Sequence, residues 1–195
     1  PQELTTQEIR TILDQLAELG ILTVTFTGGE LGTRPDLQEI FSHTRQLGLV
    51  IRILTNATRV TPEFVRLLHD VGAEQACVSI YGATAATYER MTAVAGSYVA
   101  FRRGLALLAS STVPIVVRMP VTSLNYEEIR LCRSIAEELK CKFQYSFDLT
   151  PTVTGDLTPL QYRLPAETKI RIDRDLLPQW GSAPVQEPCP AAGEF

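Results

Sequence analysis

Short apolar, β-rich runs alternate with amphipathic helical segments along almost the whole chain, and that order leaves few ways to bury both. Thr5-Thr6-Gln7-Glu8 reads as a helix start with an acidic first turn, and Ile9, Ile12, Leu13, Leu16 and Leu19 keep helical spacing until Gly20 stops the run. A strand, Leu22 to Phe26, follows at once and ends in Thr27-Gly28-Gly29-Glu30. The next helix runs from about Asp36 to Leu47, with Pro35 at its entry and Gly48 at its exit. The pattern then repeats: strand Val50 to Leu54, helix Pro62 to Val71, strand Gln75 to Ile80, helix Tyr98 to Ala109, strand Ile115 to Met119, helix Tyr126 to Leu139 and strand Phe143 to Phe147.

Strands that alternate with helices predict right-handed βαβ crossovers and a parallel sheet, and nearly continuous apolar strands predict burial on both of its faces. The strand starts are separated by roughly 25 to 40 residues, the size of a βα unit rather than of a solenoid repeat. Because such a series normally opens on a strand, the helix at the start implies a further strand before Pro1, which makes six. After Leu149 the chain turns rich in Thr, Pro and Gly and carries one more helix, about Ala166 to Leu177, expected on the outside of the fold. Residues 178–195, rich in Pro, Gly, Ala and Gln, read as a linker into something beyond.

Among 195 residues, 45% are apolar, enough for one domain with a sizeable core. The net charge of −4, with both signs mixed, offers no basic stripe for nucleic acid or anionic lipid, so neither partner is expected. No apolar run has the length of a membrane span and no basic-then-apolar leader opens the sequence, so the expected location is cytoplasmic. Cys77, Cys132, Cys141 and Cys189 are scattered, and none forms a C-x-x-C pair or a C-x3-C-x2-C loop. No complete metal site is written in the chain, and both of its ends look cut.

Parallel α/β folds bind ligands at the carboxyl ends of their strands. Those ends are Thr27-Gly28-Gly29-Glu30, Thr55-Asn56, Ser79-Ile80-Tyr81-Gly82 and Arg118-Met119-Pro120-Val121-Thr122. Two adjacent glycines let a ligand approach the main chain, and a carboxylate beside them suits an ammonium group. Asn56 and Ser79 offer hydrogen bonds to a ribose, and Arg118 a two-pronged contact to a carboxylate. Each piece also has a plain reading. Gly-Gly is a tight turn, Glu30 a solvated or capping residue, Asn56 and Ser79 turn formers, and Arg118 a salt-bridged barrel residue. The functional reading gains because all of them fall on one predicted face.

Phe26-Thr27-Gly28-Gly29-Glu30, followed by Arg34-Pro35-Asp36-Leu37, resembles the Gly-Gly-Glu motif that ends the second strand of radical S-adenosylmethionine (SAM) enzymes and binds the methionine amino group. Leu54-Thr55-Asn56 resembles the family's third strand end, and Val78-Ser79-Ile80-Tyr81-Gly82 its fourth, where the Ser contacts the SAM ribose. The likeness spans roughly residues 5 to 177. Met91 to Tyr98, Val113-Pro114-Ile115 and Val121 to Asn125 are similar to members with a SPASM-type extension, and Thr154-Gly155-Asp156 with Pro159 to Leu164 to peptide-modifying members. Cys189-Pro190-Ala191-Ala192-Gly193 resembles the opening cysteine of that extension. The sequence departs from the family at Leu31, where Pro is common, at Tyr81, where Asp is common, and in one extra residue between Cys189 and Gly193.

The resemblance implies an α/β fold, a partial (β/α)6 TIM-like barrel with parallel strands and the first strand missing, over residues 1–177, then a linker at 178–195 into a truncated SPASM-like extension. It implies SAM held by Gly28, Gly29, Glu30, Asn56, Ser79 and Arg118, a 4Fe-4S cluster whose three-cysteine loop lies outside this sequence, and auxiliary 4Fe-4S clusters with Cys189 as a ligand. The expected activity is reductive cleavage of SAM to a 5′-deoxyadenosyl radical that abstracts hydrogen from a peptide or protein substrate. This stretch alone is expected to be inactive, and no side chain stands out as catalytic. Two rivals stay open at this point: a cluster-less relative serving as a peptide-binding scaffold, and an unrelated phosphate-binding α/β barrel, for which no late glycine-rich loop is found.

Overall fold

The structure, a computed structural model, describes residues 3–176; Cys189 and the expected linker lie outside the described residues. The chain divides after Asp148 into two compact units.

The first unit opens with helix α1 (Thr6–Glu18), where Thr5 and Glu8 form a reciprocal capping box that satisfies two otherwise orphaned N–H groups. Five strands follow, β1 (Thr23–Phe26), β2 (Val50–Thr55), β3 (Gln75–Ser79), β4 (Ile115–Pro120) and β5 (Lys142–Ser146). They form one sheet in sequential order, every neighbouring pair parallel. The crossovers are α2 (Leu37–Gln46), α3 (Pro62–Asp70), α4 (Ala85–Thr92) with α5 (Ser97–Ala109), and α6 (Ile129–Glu138). α2 and α3 begin or end where the sequence supplies the device: Pro62 in the first turn of α3 behind the Thr61 cap, and Gly48 and Gly72, with φ of 76° and 62°, after α2 and α3.

A parallel sheet whose strands add in sequence order, joined by right-handed crossovers, receives all its helices on one face. The covered face carries Ile51, Ile53, Ala76, Val78, Val117, Met119 and Phe143, all buried. The other face is open, and this corrects the expectation of a sheet buried on both sides. The pleat places Arg52, Ser79, Arg118 and Gln144 there at alternate positions, and Arg52, Arg118 and Gln144 are exposed. Singly wound order is the barrel type of α/β fold, as opposed to the doubly wound type that covers both faces. Helix α4 is a second difference from the sequence reading, which began the crossover helix at Tyr98. Only Thr87 and Tyr88 of its eight residues are buried, so it shows little amphipathic periodicity, and it ends on Ala93 with a left-handed φ of 55° rather than on Gly.

In the second unit, Thr152 and Asp156 close a turn through main-chain and side-chain bonds, and Asp156 accepts from the Thr158 N–H and hydroxyl at 2.9 and 2.6 Å. A 3-10 segment (Thr158–Tyr162) and helix α7 (Ala166–Leu176) follow, and Arg163 donates to the Leu149 carbonyl at 2.6 Å.

Candidate functional site at the carboxyl ends of the strands

All five strands are parallel, so Glu30, Asn56, Ser79 and Arg118 belong to the same end of the sheet. Glu30 follows the Gly28-Gly29 turn after β1. The buried hydroxyl of Thr55 donates to its Oε1 at 2.5 Å, and the Asn56 N–H donates to its Oε2 at 2.9 Å. Thr55 is itself held, accepting from the Ala57 N–H at 2.9 Å. Two donors on one strand end thus fix a carboxylate whose charge no cation among the described residues neutralises. Its field extends to the β3 side of the site: the Tyr88 hydroxyl is pushed well above the usual tyrosine range by burial first, then by its neighbours Tyr81 and Glu30. That hydroxyl is fully buried and has no hydrogen-bond partner among the described residues.

Apart from the chain neighbours, no atom of the described residues would lie within 4 Å of a Cβ placed at Gly28 or Gly29, although the φ of 157° at Gly28 itself disfavours a side chain. The packing therefore does not require these glycines, and the main chain beside Glu30 stays open to a ligand. Gly29→Ala is accordingly expected to leave the thermal midpoint unchanged while weakening whatever ligand lies against that turn, which paired thermal melts and ligand titration will check.

Asn56 is partly engaged within the protein. Its Oδ1 accepts from the Thr58 N–H at 2.9 Å and the Thr58 hydroxyl at 2.5 Å, an Asx turn, so only its amide NH2 is available. Ser79 lies half-exposed on the open face with no hydrogen-bond partner for its hydroxyl among the described residues. Arg118 is its register partner on β4. Arg118 donates to Gln144 Oε1 at 3.2 Å and has no carboxylate partner among the described residues, so the salt-bridged alternative is not what forms. Cys77, next to this row on β3, has its thiol pushed up by burial, partly offset by the Arg118 charge.

Sequence reasoning missed the residues that brace this end. Asn125, buried, donates to the carbonyls of Tyr81 at 3.0 Å and Pro120 at 2.9 Å and accepts from the Thr122 N–H at 2.8 Å, tying the ends of β3 and β4 together. Glu128 accepts from the N–H groups of Ala83 and Thr84 at 2.6 and 3.1 Å and from the hydroxyls of Thr84 and Thr87, each at 2.7 Å. Partial burial opposes its ionisation, but the bonds from Thr87, Thr84 and Ala83 prevail and hold its carboxyl below the usual glutamate range. A lowered native-state value stabilises the fold fully above the unfolded value of about 4.3, and that gain is lost as pH falls through the native value. The difference in melting temperature between the native chain and Glu128→Gln is therefore expected to stay constant from neutral pH down to the ordinary glutamate range and to shrink below it.

Among the described residues no group of three or more His, Cys, Asp or Glu side chains is placed to hold a metal ion. Cys77, Cys132 and Cys141 are separate, and burial pushes the Cys132 thiol up to about 12. None of the described helices is long and apolar enough to cross a membrane. The arrangement is chemically suited to a zwitterionic molecule carrying hydroxyls: an anion for an ammonium, open main chain beside it, a free hydroxyl, and an unneutralised guanidinium on the same strand ends.

The chain is 31% identical over 190 residues to an AdoMet-dependent heme synthase of Methanosarcina barkeri, covering 91% of this chain and 54% of that protein. It is 38% identical over 104 residues to a PqqA peptide cyclase of Bradyrhizobium diazoefficiens, covering 53% and 27%. The chain thus spans about half or less of these relatives' lengths. In fold it is similar to Streptococcus suis SuiB bound to its precursor peptide SuiA, with a TM-score of 0.74, 18% identity, and 92% and 40% of the two chains covered. It is likewise similar to anSMEcpe with bound AdoMet and a peptide, with a TM-score of 0.71, 16% identity, and 92% and 53% covered. The profile of the radical SAM superfamily matches residues 1–134. With that match over most of its length and a parallel, singly wound sheet of the corresponding barrel, this chain belongs to the radical SAM superfamily.

Proposed function

We propose that the whole protein uses SAM to abstract hydrogen from a peptide or protein substrate, and that the strand ends of this chain hold the SAM. The observation that carries the SAM part is the Glu30 carboxylate, fixed by Thr55 and Asn56, beside glycines whose space no atom of the described residues fills. Glu30 takes the methionine ammonium, with Gly28 and Gly29 giving it access to the main chain. Ser79 takes a ribose hydroxyl, Arg118 the carboxylate, and the Asn56 amide a lesser contact. The cofactor supplies, on one-electron reduction, the 5′-deoxyadenosyl radical, while the barrel orients SAM and substrate and limits water. No group of three or more His, Cys, Asp or Glu side chains among the described residues is placed to hold a metal ion, so the 4Fe-4S ligands are assigned to residues outside them. Cys189, in the proposed linker 178–195, is assigned to an auxiliary cluster.

The peptide reading is supported by the PqqA peptide cyclases among the relatives and by the fold shared with SuiB in complex with SuiA. A second reading has its own observation. The match over 190 residues to a heme synthase, and a 30% match over 138 residues to an Fe-coproporphyrin III synthase of the same organism, favour a carboxylated tetrapyrrole as substrate.

The test is to express the whole protein, reconstitute it anaerobically and assay 5′-deoxyadenosine with reductant and SAM. Its formation is expected; none forming would contradict the reading and leave the scaffold alternative standing. Stimulation by peptide or by Fe-coproporphyrin III then separates the two substrates.

A further inference from the structure

Beside the strand ends lies a cavity of about 600 Å³, walled by the turn after β2, by Tyr81, by the α4–α5 connection and by the first turns of α5. Two arginines, Arg59 and Arg103, line it. Both are exposed, and neither has an ion-pair or hydrogen-bond partner among the described residues. Arg10, Arg34, Arg52 and Arg66, by contrast, each pair with a carboxylate. Among the described residues no Asp or Glu lines the cavity. In a chain of net charge −4, two unpaired guanidiniums facing one space are a local feature and not a consequence of general basicity. Glu89, in α4, accepts from the Gly96 N–H at 2.9 Å and forms no ion pair with either arginine.

The rest of the wall suits a short side chain ending in an anion. The Asn56 amide NH2, left over when its oxygen is taken by Thr58, adds a third donor, and Met91 and Ala100 provide apolar contact for an aliphatic stem. Asn56 also joins this cavity to the SAM side, since its N–H holds Glu30. A group seated between the arginines is thereby anchored next to the proposed SAM position.

We propose that this cavity is a carboxylate pocket in which Arg59 and Arg103 anchor an acidic residue of the peptide substrate. The proposal rests on the peptide reading above, and it adds a requirement on substrate sequence: an Asp or Glu placed close to the residue that reacts. Guanidinium–carboxylate contacts of this kind, charge-assisted and two-pronged, discriminate well against neutral amides.

The test is selection of a random peptide library displayed on phage against the full chain, its Arg59→Gln/Arg103→Gln variant and its Arg59→Glu/Arg103→Glu variant. Both side chains are exposed, so the variants are expected to melt with the native chain; should a double variant fail to fold, the single Gln variants read the same effect. On the native chain, Asp or Glu is expected to rise about tenfold over the input library at one position, the size of one charge-assisted contact. That enrichment disappears in the Gln variant and turns to Lys or Arg in the Glu variant. Peptides enriched without an acidic position, or an acidic position that persists in the Glu variant, overturn the pocket and leave the peptide reading intact. No enrichment on any form takes down both. A parallel titration with Fe-coproporphyrin III, followed by its visible absorbance, covers the other source of carboxylates: binding that depends on Arg59 and Arg103, with no acidic bias among the peptides, overturns the peptide assignment in favour of propionates.

Discussion

Glu30→Gln is expected to weaken SAM binding to the whole protein by about 10- to 100-fold, the loss of a charge-assisted contact worth about 1.5–3 kcal/mol. The fold is expected to survive. The glutamine oxygen still accepts the Asn56 N–H, and its NH2 faces Thr55 Oγ1, a hydroxyl oxygen that already accepts from Ala57 and has capacity for a second donor. Calorimetric titration with SAM, run beside a thermal melt, separates the two effects. Lost affinity with a retained midpoint supports a binding role, whereas unchanged affinity removes Glu30 from the site.

The largest effect on stability is expected at Gly104 in α5. A Cβ there would lie 1.9 Å from the Ala57 carbonyl oxygen and 3.2 Å from Val60 Cβ. Ala57 is fully buried and already left-handed, with φ of 60°, so the backbone turn has little freedom to retreat. Gly104→Ala is therefore expected to cost about 3 kcal/mol or more, the upper range for overpacking, and to lower the melting temperature by roughly 6–12 °C in a chain of this size. It should also weaken SAM binding, because the displaced turn is the one that presents Thr55 and Asn56 to Glu30. The contrast with Gly29→Ala, where nothing stands in the way, separates a glycine kept for packing from one kept for a ligand. A midpoint like that of the native chain would show that α5 and the turn are not in the contact described.

The order and type of most elements were legible because local signals agreed with the final packing. β-rich runs such as Val50 to Leu54 lie between helices stopped by Gly48 and Gly72, and neighbouring units repeat the plan. The open face was present in the pattern but short. Arg52 and Arg118 interrupt β2 and β4 at single positions, and apolar neighbours on either side make each run look continuous. Helix α4 escaped because it packs through so few residues that its periodicity is faint. At the site, residue types at strand ends pointed to Glu30, Ser79 and Arg118, since chain direction alone brings such ends together. The braces were invisible for the opposite reason: Glu128 meets Ala83, Thr84 and Thr87 across separations of 41 to 45 residues, which only the finished fold establishes. Asn56 shows a third case, in which the turn reading accounts for its oxygen and leaves only its amide for a ligand.

The most direct measurement is a crystal structure of the whole protein with SAM bound. The methionine ammonium is expected within hydrogen-bonding distance of the Glu30 carboxylate, with a ribose hydroxyl on Ser79 and the carboxylate on Arg118. SAM seated away from these strand ends, or seated there with Glu30 still facing only Thr55 and Asn56, would contradict the account.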